Sequence, residues 1–404
     1  MKVSVIGQGY VGLTLAIGAA EAGHKVIGVD LNTELVSSLI ECKTDIPGVS
    51  EVLLSKLTQS GHYLPTTDFT KISNSEIVVI AVPTPLSKNR GPDLSFLESA
   101  SVSIAEVMTD KALIINESTS FPGTLRNVIK PNIEKISTLE FEYASAPERI
   151  DPANNEWNLK NTPRIIGGLT EKATRLASEF YSSFCAHVHT VSKPEIAEAA
   201  KLFENTFRQI NIALANEFSL IASKLGFSTN EAILAAATKP FGFMPFYPSI
   251  GVGGHCIPVD PSYLSYAANQ VGMRANFIEL ANETNLSMAR HVVEKISNSV
   301  EKPLSNLKIQ LIGISYKIDV ADLRESPALI LISELRSKGA IVKWHDPLVN
   351  KWNEEISSEI DPNVDLGLIL TPHKIIDLNV WKRSTIKVLD LSANSTDYGW
   401  PKFL

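Results

Sequence analysis

The sequence lacks the features that mark a metal-binding, membrane or nucleic-acid-binding protein. Three cysteines in 404 residues, Cys42, Cys185 and Cys256, form neither a CxxC pair nor a metal-ligand spacing, and the eight histidines are scattered. We therefore expect no metal site and a reducing, cytoplasmic location. A net charge of −7 without Lys/Arg runs argues against nucleic acid or an anionic membrane as the main partner. No apolar run is long enough to span a bilayer.

What remains is the composition of a globular protein with more than one domain. Hydrophobic residues make up 44% and charged residues 20% of the chain, which is ordinary for a folded protein. A length of 404 residues exceeds that of one ordinary core. We therefore expect two or three domains.

The first thirty residues predict a βαβ unit. A short apolar strand, Lys2–Ile6, runs directly into Gly7-Gln-Gly-Tyr-Val-Gly12. A helical stretch follows over Leu13–Ala22, and a second strand covers Lys25–Val29. Three glycines and a glutamine among the first ten residues or so are unlike a secretory signal peptide. This arrangement is typical of a dinucleotide-binding fingerprint.

Each residue of the fingerprint has a physical task. Gly7 makes the tight turn, Gly9 lets a pyrophosphate approach the backbone, and Gly12 allows the helix to pack closely on the strand. Asp30 lies 18 residues after Gly12, where a carboxylate would bind the ribose hydroxyls, and no arginine follows it to favour NADP. We therefore predict NAD as the cofactor. The predicted cofactor-binding residues here are Gly7, Gly9, Tyr10, Val11, Gly12 and Asp30.

Further apolar strands end in polar or proline-containing loops. In a doubly wound parallel sheet, ligands bind at the carboxyl ends of the strands. We therefore expect Thr84, Thr119 and Glu148 to lie at the cofactor crevice, although such residues are also common in plain turns and caps. The strands are predicted over Glu76–Val82, Ala112–Asn116 and Phe141–Ser145.

A long helix is predicted over Lys193–Leu225, without an internal proline or glycine. Lys201, Asn205 and Arg208 lie on one line of this helix, which is either a solvated face or a row of active-site residues. A broad apolar stripe covers another face and predicts a homodimer or a higher homo-oligomer, the alternative being that the stripe is internal core. A second helix is predicted over Phe277–Ser299. The stripe consists of Ile196, Ala200, Phe203, Phe207, Ile210, Leu214, Phe218 and Ile221.

A second α/β pattern begins near Glu301, with Gly313-Ile-Ser-Tyr-Lys317 as another loop at a strand end. We predict an α/β protein in which two Rossmann-like domains with parallel sheets are joined by a long helical connector domain. The predicted domains are residues 1–191, 192–300 and 301–404. The predicted elements after Glu301 are strands Lys308–Ile312, Ile341–Trp344, Leu366–Leu370 and Ile386–Leu389 and a helix over Leu329–Ser337.

The segment Gly251-Val-Gly-Gly-His-Cys-Ile-Pro-Val-Asp260 combines a cysteine with a glycine-rich loop and a carboxylate. Glycines let a backbone approach a ligand closely, because no Cβ intervenes. A thiol presented in this way is suited to be a covalent nucleophile. The alternative is a buried structural cysteine in a tight turn.

These motifs together resemble the UDP-glucose/GDP-mannose dehydrogenase family, which oxidises nucleotide sugars at C6. The resemblance extends over essentially the whole chain. It implies a homodimer, two NAD used in succession, and a UDP-sugar bound by the C-terminal domain. The motifs, in order, are the N-terminal fingerprint, Val82–Pro85, Glu117–Thr119, Lys201–Asn205, the Cys256 segment, Gly313–Lys317 and Asp322–Pro327.

Details within the resemblance point to UDP-N-acetylhexosamines, most closely to UDP-N-acetylglucosamine 6-dehydrogenases of bacterial surface-polysaccharide pathways. UDP-N-acetylmannosamine dehydrogenases are the near alternative, and UDP-glucose is a further one. His255 stands where glucose-specific members usually have a small residue or tyrosine. Three further segments are similar to the N-acetylhexosamine enzymes: Lys239–Phe243, Phe246–Pro248 and Phe277–Ala281. The implied substrate-binding residues are Glu148, Arg208, Phe246, Tyr247, Ser249, Gly251, His255 and Lys317.

The resemblance also implies catalytic roles. Cys256 would form a thiohemiacetal that is oxidised to a thioester and then hydrolysed, and Lys201 and Asn205 would stabilise the oxyanion. Asp260 and a water near Thr119 are the candidates for proton transfer. Glu148 is expected at the sugar as a catalytic residue. Lys317 is expected near the substrate's phosphates or at the catalytic edge, and Arg324 on the cofactor side.

Two positions depart from the glucose-specific pattern. A second glutamate, expected four residues after Glu148, is replaced by Pro152 with Asp151 beside it, which leaves the hydrolytic base open. An arginine expected sixteen residues before Cys256 is replaced by Pro240. The second departure agrees with a sugar other than glucose.

Two other functions are compatible with parts of the sequence. A two-electron 3-hydroxyacid or 6-phosphogluconate-type dehydrogenase would share the Rossmann domain, but it has no use for Cys256 or a second α/β domain. A non-catalytic NAD sensor could retain the fold. The number of NADH formed per sugar nucleotide, two, one or none, separates the three.

Overall fold

The computed structural model describes residues 1–46, 48–87, 91–150, 154, 156–300, 302–394 and 396–404. These residues form two compact units. The first comprises Met1–Glu204 and Ser262–Met273, and the second comprises Asn205–Pro261 and Arg274–Leu404. Within the described ranges, no helix is both long and apolar enough to cross a membrane.

The elements follow an α/β order at both ends of the chain. The strands are β1 Lys2–Ile6, β2 Lys25–Val29, β3 Tyr63–Thr66, β4 Ile77–Ile80, β5 Leu113–Asn116, β6 Glu142–Ser145, β7 Arg164–Gly168, β8 Val188–Thr190, β9 Lys308–Ile312, β10 Ile341–His345, β11 Lys351–Trp352, β12 Glu355–Ile356, β13 Leu366–Ile369 and β14 Lys387–Asp390. The α-helices are α1 Tyr10–Glu21, α2 Thr33–Ile40, α3 Glu51–Gln59, α4 Ser95–Val107, α5 Lys130–Glu134, α6 Glu171–Ser182, α7 Pro194–Leu225, α8 Thr229–Ala237, α9 Asp260–Gln270, α10 Asn276–Ser299, α11 Pro327–Ser337 and α12 Asn379–Lys382.

The first unit contains an eight-stranded sheet in the order β3-β2-β1-β4-β5-β6-β7-β8. All its neighbouring strands are parallel except β6 and β7, which pair antiparallel. Its central strands are buried along their length because both faces are covered, one by α1 and α6 and the other by α4 and α5. The strand order reverses between β1 and β4, and in such sheets the reversal marks the ligand crevice.

The second unit also contains a parallel sheet with a buried core, but a smaller one. Its main sheet has four parallel strands in the order β10-β9-β13-β14, and β11 and β12 form a separate antiparallel hairpin. Leu311, Leu331 and Trp344 lie in its buried core with helix α11. The predicted α/β fold with two Rossmann-like sheets and helical segments between them is therefore confirmed.

Helix α7 is the longest element, with 32 residues, and α10 has 24. Buried amides join these helices within the second unit. Asn216 donates to Asn285 Oδ1 at 2.9 Å, and Gln209 contacts Asn282. Since each such amide would be costly to bury alone, their pairing holds α10 against α7.

Candidate active site

The loop after β1 has the geometry that a dinucleotide requires. Gly7 has φ +91°, and a Cβ there would lie 2.5 Å from the carbonyl oxygen of Ala81. A Cβ on Gly12 would overlap the carbonyl oxygen of Gly7. Gly9, by contrast, has no atom within 4 Å of its Cβ position. The first and third glycines therefore serve packing, and the second leaves open space at the start of α1.

The start of α1 also suits an anion. Gly9 is its N-cap, no side chain caps it, and its first turn holds no acidic residue. The first amide groups of an α-helix have no carbonyl partner four residues earlier within the helix, and together with the helix dipole they favour an anion such as a phosphate. The residues present thus fit NAD, with the pyrophosphate at this helix end.

Asp30 follows β2 and is fixed to the same loop. Its Oδ2 accepts a hydrogen bond from the Gln8 backbone N–H at 2.7 Å, and its Oδ1 accepts one from Asn32 at 2.9 Å. The Gln8 side chain is fully buried and accepts from the Tyr63 hydroxyl at 2.7 Å. This places a carboxylate at the strand edge, where the ribose of NAD would bind.

Two further predicted residues lie in loops of the first unit. Thr84 is buried after β4, and its carbonyl oxygen accepts a hydrogen bond from the Tyr263 hydroxyl at 2.6 Å. Thr119 is half-buried, three residues after β5 ends at Asn116. Because β4 and β5 are parallel neighbours, both loops begin at the same edge of the sheet.

Glu148 and Lys201 meet in a buried pair. Their charged groups, Nζ and Oε2, are 3.8 Å apart, and both side chains are more than nine-tenths buried. Lys201 also donates to the Glu148 carbonyl oxygen, and the Glu148 carboxylate accepts from the Ile150 N–H. The structure therefore brings together two residues that the sequence placed on separate elements.

A buried ion pair beside Glu148 was not predicted. Arg164 at the start of β7 contacts Glu117 Oε1 at 2.9 Å, and the Tyr181 hydroxyl donates to the same oxygen at 2.8 Å. Burial raises the pKa of Glu117, and the adjacent Arg164 opposes that rise. No sequence spacing relates Arg164 to Glu117, so the pair could be recognised only from their contact in the folded structure.

In the second unit, the glycines of the cysteine loop pack against protein. A Cβ on Gly253 would lie 2.7 Å from Tyr316 Cβ, and one on Gly254 would lie 2.8 Å from the Tyr316 ring. Gly251 has φ +137° and approaches Pro327. These contacts alone leave no room for a Cβ at Gly253 and Gly254.

Cys256 is half-buried at the end of this loop, four residues before a buried carboxylate. Its carbonyl oxygen accepts the Asp260 backbone N–H at 2.8 Å. The Asp260 side chain is fully buried and accepts a hydrogen bond from Asn205 Nδ2. Asn205 lies one turn beyond Lys201 on α7. The Cys256 backbone, the Asp260 carboxylate and the Asn205 amide are thus linked by hydrogen bonds, with the thiol one turn before the carboxylate.

Arg324 also belongs to the surroundings of the cysteine. Its guanidinium contacts the Asp322 carboxylate, with 2.6 Å between Nη2 and Oδ2, and its carbonyl oxygen accepts the Gly254 N–H at 2.9 Å. The hydrogen bond to Asp322 is the main cause of a raised Arg324 pKa, and the negative charge of a Cys256 thiolate adds to it.

The remaining predicted substrate residues are dispersed over the second unit. Ser249 is fixed by Asn216, whose Oδ1 accepts its N–H at 2.7 Å, and Ser249 Oγ donates to the Gly251 carbonyl oxygen. Phe246 stacks edge-to-face with Phe207, at 5.9 Å between ring centroids. The others are half-buried or exposed: Tyr247, His255 and Lys317 are half-buried, and Arg208 is exposed.

Three remaining points concern the departure from the glucose-specific pattern, metal binding and the cysteines. Asp151 and Pro152, at the departure from the glucose-specific pattern, lie outside the described residues. Among the residues that are described, no three His, Cys, Asp or Glu side chains form a group that could hold a metal ion. None of the three cysteines is in a disulfide.

Comparison with known proteins identifies the family. Three models of the UDP-glucose/GDP-mannose dehydrogenase family match the chain: its NAD binding domain over residues 1–185, its central domain over 195–287 and its UDP binding domain over 310–388. The chain belongs to this family. It is an NAD-dependent nucleotide-sugar dehydrogenase, which confirms the predicted enzyme class and cofactor.

Individual relatives cover most of the chain. A UDP-N-acetyl-D-mannosamine dehydrogenase from Campylobacter jejuni is 38% identical over 84% of this chain and 84% of its own. A UDP-N-acetyl-D-glucosamine 6-dehydrogenase from Pseudomonas aeruginosa is 34% identical over 87% and 83%. The structure of a UDP-D-ManNAc dehydrogenase from Pyrococcus horikoshii superposes with a TM-score of 0.87 at 32% identity, covering 100% of this chain and 97% of that one.

Proposed function

We propose that this dehydrogenase oxidises the C6 hydroxyl of a UDP-N-acetylhexosamine to the carboxylate, using Cys256 as a covalent nucleophile. The observation that carries the proposal is the group of Cys256, Asp260 and Asn205 in the second unit, where the Asp260 N–H donates to the Cys256 carbonyl oxygen and the Asp260 carboxylate accepts from Asn205. A two-electron dehydrogenase would need no thiol in this group. The product, a uronic acid, suits the synthesis of a surface polysaccharide.

The chemistry follows from the properties of these side chains. NAD, when bound, accepts the hydride removed in each of two oxidations. The Cys256 thiolate adds to the C6 aldehyde and forms a thiohemiacetal, whose oxidation leaves a thioester. Water then cleaves the thioester to the carboxylate and returns the thiol.

Lys201 and Asn205 would donate to the C6 oxygen as its negative charge develops. Lys201 is a buried donor beside Glu148 in the first unit, and Asn205 is a half-buried donor to Asp260 in the second unit. Asp260 is suited to hold a proton near the thiol, because it is fully buried and follows Cys256 by one turn. Thr119 and Glu148 would orient the attacking water and the sugar.

We assign the sugar to the N-acetylhexosamines because relatives with that printed substrate match nearly the full chain. UDP-N-acetylglucosamine is our first candidate, on the likeness of the segments around His255 and Phe246. UDP-N-acetylmannosamine is the second, since relatives named for it reach 38% identity. The two sugars differ only in configuration at C2, so the contacts of Phe246, Tyr247 and His255 would decide between them.

We further propose that residues 1–191 bind NAD and that 301–404 bind the UDP group. Residues 192–300 would carry part of the catalytic group and the contact between subunits of a cytoplasmic homodimer. Lys317 would lie near the phosphates of the substrate or at the catalytic edge, and Arg324 would lie on the cofactor side.

The test is a count of NADH formed per sugar nucleotide consumed, with purified protein and UDP-GlcNAc, UDP-ManNAc and UDP-glucose in parallel. We expect two NADH per molecule of UDP-GlcNAc. Cys256→Ala should abolish the second NADH, because no thioester can form. Cys42→Ala is the matched control: it removes a cysteine outside the site and should leave both oxidations unchanged.

The alternatives give different counts. One NADH per sugar, unaffected by Cys256→Ala, would overturn the covalent mechanism. Two NADH with UDP-ManNAc and none with UDP-GlcNAc would transfer the proposal to the second candidate. No turnover of any of the three sugars would leave the N-acetylhexosamine assignment without support and refute it for both candidates.

A further inference from the structure

The short segment between β6 and Glu148 is held by buried cations. Two strand-like contacts remain after β6, Ala146 N–H to the Asn116 carbonyl and Glu148 N–H to the Glu117 carbonyl, at 2.9 and 3.4 Å. Beyond these contacts, the three carbonyl oxygens of Ala146–Glu148 face two side chains. Arg164 Nη1 lies 3.5 Å from the first and from the second, and Lys201 contacts the third.

Arg164 is itself fixed on all sides. Only 4% of its side chain is exposed, and Nη1 is 2.9 Å from Glu117 Oε1. Its guanidinium carbon lies 5.1 Å from the centre of the Tyr181 ring, whose hydroxyl donates to the same Glu117 oxygen. An arginine held by a carboxylate and an aromatic face has little freedom to turn. It therefore presents a fixed positive charge to the Ala146 and Pro147 carbonyls.

Arg149 holds the other end of the segment. Its Nη1 donates to the Pro163 carbonyl oxygen at 2.7 Å, and its guanidinium makes a two-point contact with Glu204, at 3.0 and 2.5 Å. Glu204 lies on α7, three residues after Lys201. Glu148 thus sits between two arginine contacts that tie its segment to β7 and to α7.

We propose that Arg164, oriented by Glu117, is a positioning residue that sets the placement of Glu148 and Lys201 for catalysis. The inference rests on the proposed function, in which these two residues act on the sugar. Its physical basis is that displacements of about 1 Å at catalytic groups can cost about a hundredfold in rate.

A purely structural role for the pair predicts different behaviour. Removing one member of a buried ion pair leaves an uncompensated charge, which destabilises the fold, whereas removing both charges is often close to neutral. A structural pair should therefore be dispensable when both charges are removed together. A positioning pair should not be, since the Ala146 and Pro147 carbonyls would then face no cation.

The experiment compares Arg164→Met, Arg164→Lys and the double variant Arg164→Met/Glu117→Gln with the unaltered enzyme. Glutamine at 117 keeps an acceptor for the Tyr181 hydroxyl. The exposed pair Arg175 and Glu179, on α6, supplies the matched control, Arg175→Met/Glu179→Gln. The readouts are the midpoint of thermal unfolding, kcat, the KM for NAD, and hydrogen–deuterium exchange of the peptide containing Ala146–Ile150.

We expect the double variant to unfold near the temperature of the unaltered enzyme and to keep its KM for NAD. Its kcat should still be lower by about a hundredfold, and amide exchange over Ala146–Ile150 should be faster. Arg164→Lys keeps the positive charge but loses the planar guanidinium group. Its kcat and its amide exchange should lie between those of the unaltered enzyme and those of the double variant. Recovery of kcat in the stable double variant would overturn the proposal, as would unchanged exchange.

Failure of the proposed function would be visible separately. Rates are compared on whichever nucleotide sugar the unaltered enzyme oxidises, so a different sugar does not affect the ratio. The exchange measurement needs no substrate. Altered exchange together with an unchanged kcat would show that the segment is held by Arg164 but that its placement does not matter for the reaction.

Discussion

At the scale of single residues, the three glycines of the first loop have different physical roles. Gly7 and Gly12 are constrained by neighbouring backbone, and Gly9 is constrained by nothing in the protein. The backbone at Gly9, with φ −70° and ψ −164°, is open to any residue. No contact within the protein requires glycine at this position, which is consistent with the predicted approach of the cofactor.

This difference predicts opposite outcomes for two alanine substitutions. Gly12→Ala forces α1 away from β1 and should lower the midpoint of thermal unfolding by several degrees, since it costs on the order of 1–3 kcal/mol. Gly9→Ala should leave that midpoint unchanged and raise the KM for NAD at least about tenfold, because a methyl group then occupies the space for the pyrophosphate.

Thermal unfolding without cofactor, followed by NADH kinetics, checks both substitutions. Gly23→Ala serves as a control for conformation alone: its φ is +91° with no atom near its Cβ, so it should lower stability but leave the KM for NAD unchanged. An unaltered KM in Gly9→Ala would contradict the assignment of the pyrophosphate to this loop.

At the scale of the element, helix α7 carries a buried carboxylate, Glu198, that binds the loop after β5. Glu198 accepts the Gly123 and Leu125 N–H groups, at 2.7 and 3.0 Å, and so caps the turn that follows the Thr119 loop. Burial raises the pKa of Glu198 to about 8, while the two N–H donors oppose that rise. The fold therefore favours the protonated form at neutral pH.

The raised pKa predicts a dependence of stability on pH. Between the ordinary glutamate pKa and about 8, the unfolded chain has lost the proton that the folded chain retains. The free energy of unfolding, relative to Glu198→Gln, should therefore fall as pH rises, by at most about 1.4 kcal/mol per pH unit, and level off above the folded pKa.

Chemical denaturation at several pH values measures this difference. Glu195→Gln, in the same first turns of α7, is the control. The hydrogen bond with Arg126 lowers the pKa of Glu195, so it is ionised in both states from pH 6 to 9 and its difference should be flat. If the difference in free energy of unfolding between the unaltered protein and Glu198→Gln were also independent of pH, Glu198 would not be protonated in the folded protein.

The elements that the sequence predicted are those with a strong repeat or a fixed spacing. Helices α1, α7 and α10 and strand β9 have the bounds expected within two or three residues, because apolar periodicity and flanking glycines define them. Strands β7 and β8 were not predicted. Strand β8 has three residues, is partly exposed and lies at the edge of the sheet, and β7, although mostly buried, begins with Arg164 and ends in two glycines, so neither shows a strong apolar pattern.

In the candidate site too, the sequence indicated only residues that belong to a fixed spacing or a strand end. Glycine spacing and strand ends indicated the residues of the NAD loop, and helical spacing placed Lys201 beside Asn205. Arg164 could not be found in this way, because it pairs with Glu117, 47 positions earlier, through tertiary packing alone. The contacts of the cysteine-loop glycines with Tyr316 and Pro327 were hidden for the same reason.

At the scale of the whole molecule, the apolar stripe of α7 remains exposed in the single chain. Phe203 is 69% exposed, Leu214 62% and Ile221 47%. Large apolar side chains in a row on one helix are unusual on the surface of a monomer and favour a contact with another chain. This argues against the alternative in which the stripe is internal core, and it supports the proposed homodimer.

Leu214→Asp tests the dimer with the least damage to the fold, because this side chain is exposed in the single chain. We expect the molecular mass from size exclusion with light scattering to fall from that of two chains to that of one, since a charge in an apolar interface is costly to desolvate. Glu217→Gln, also exposed on α7, should leave the mass unchanged. Phe207→Asp is less informative, because Phe207 stacks on Phe246 within the same chain. A mass of two chains for Leu214→Asp would exclude this stripe as the interface, and a mass of one chain for the unaltered protein would exclude the homodimer itself.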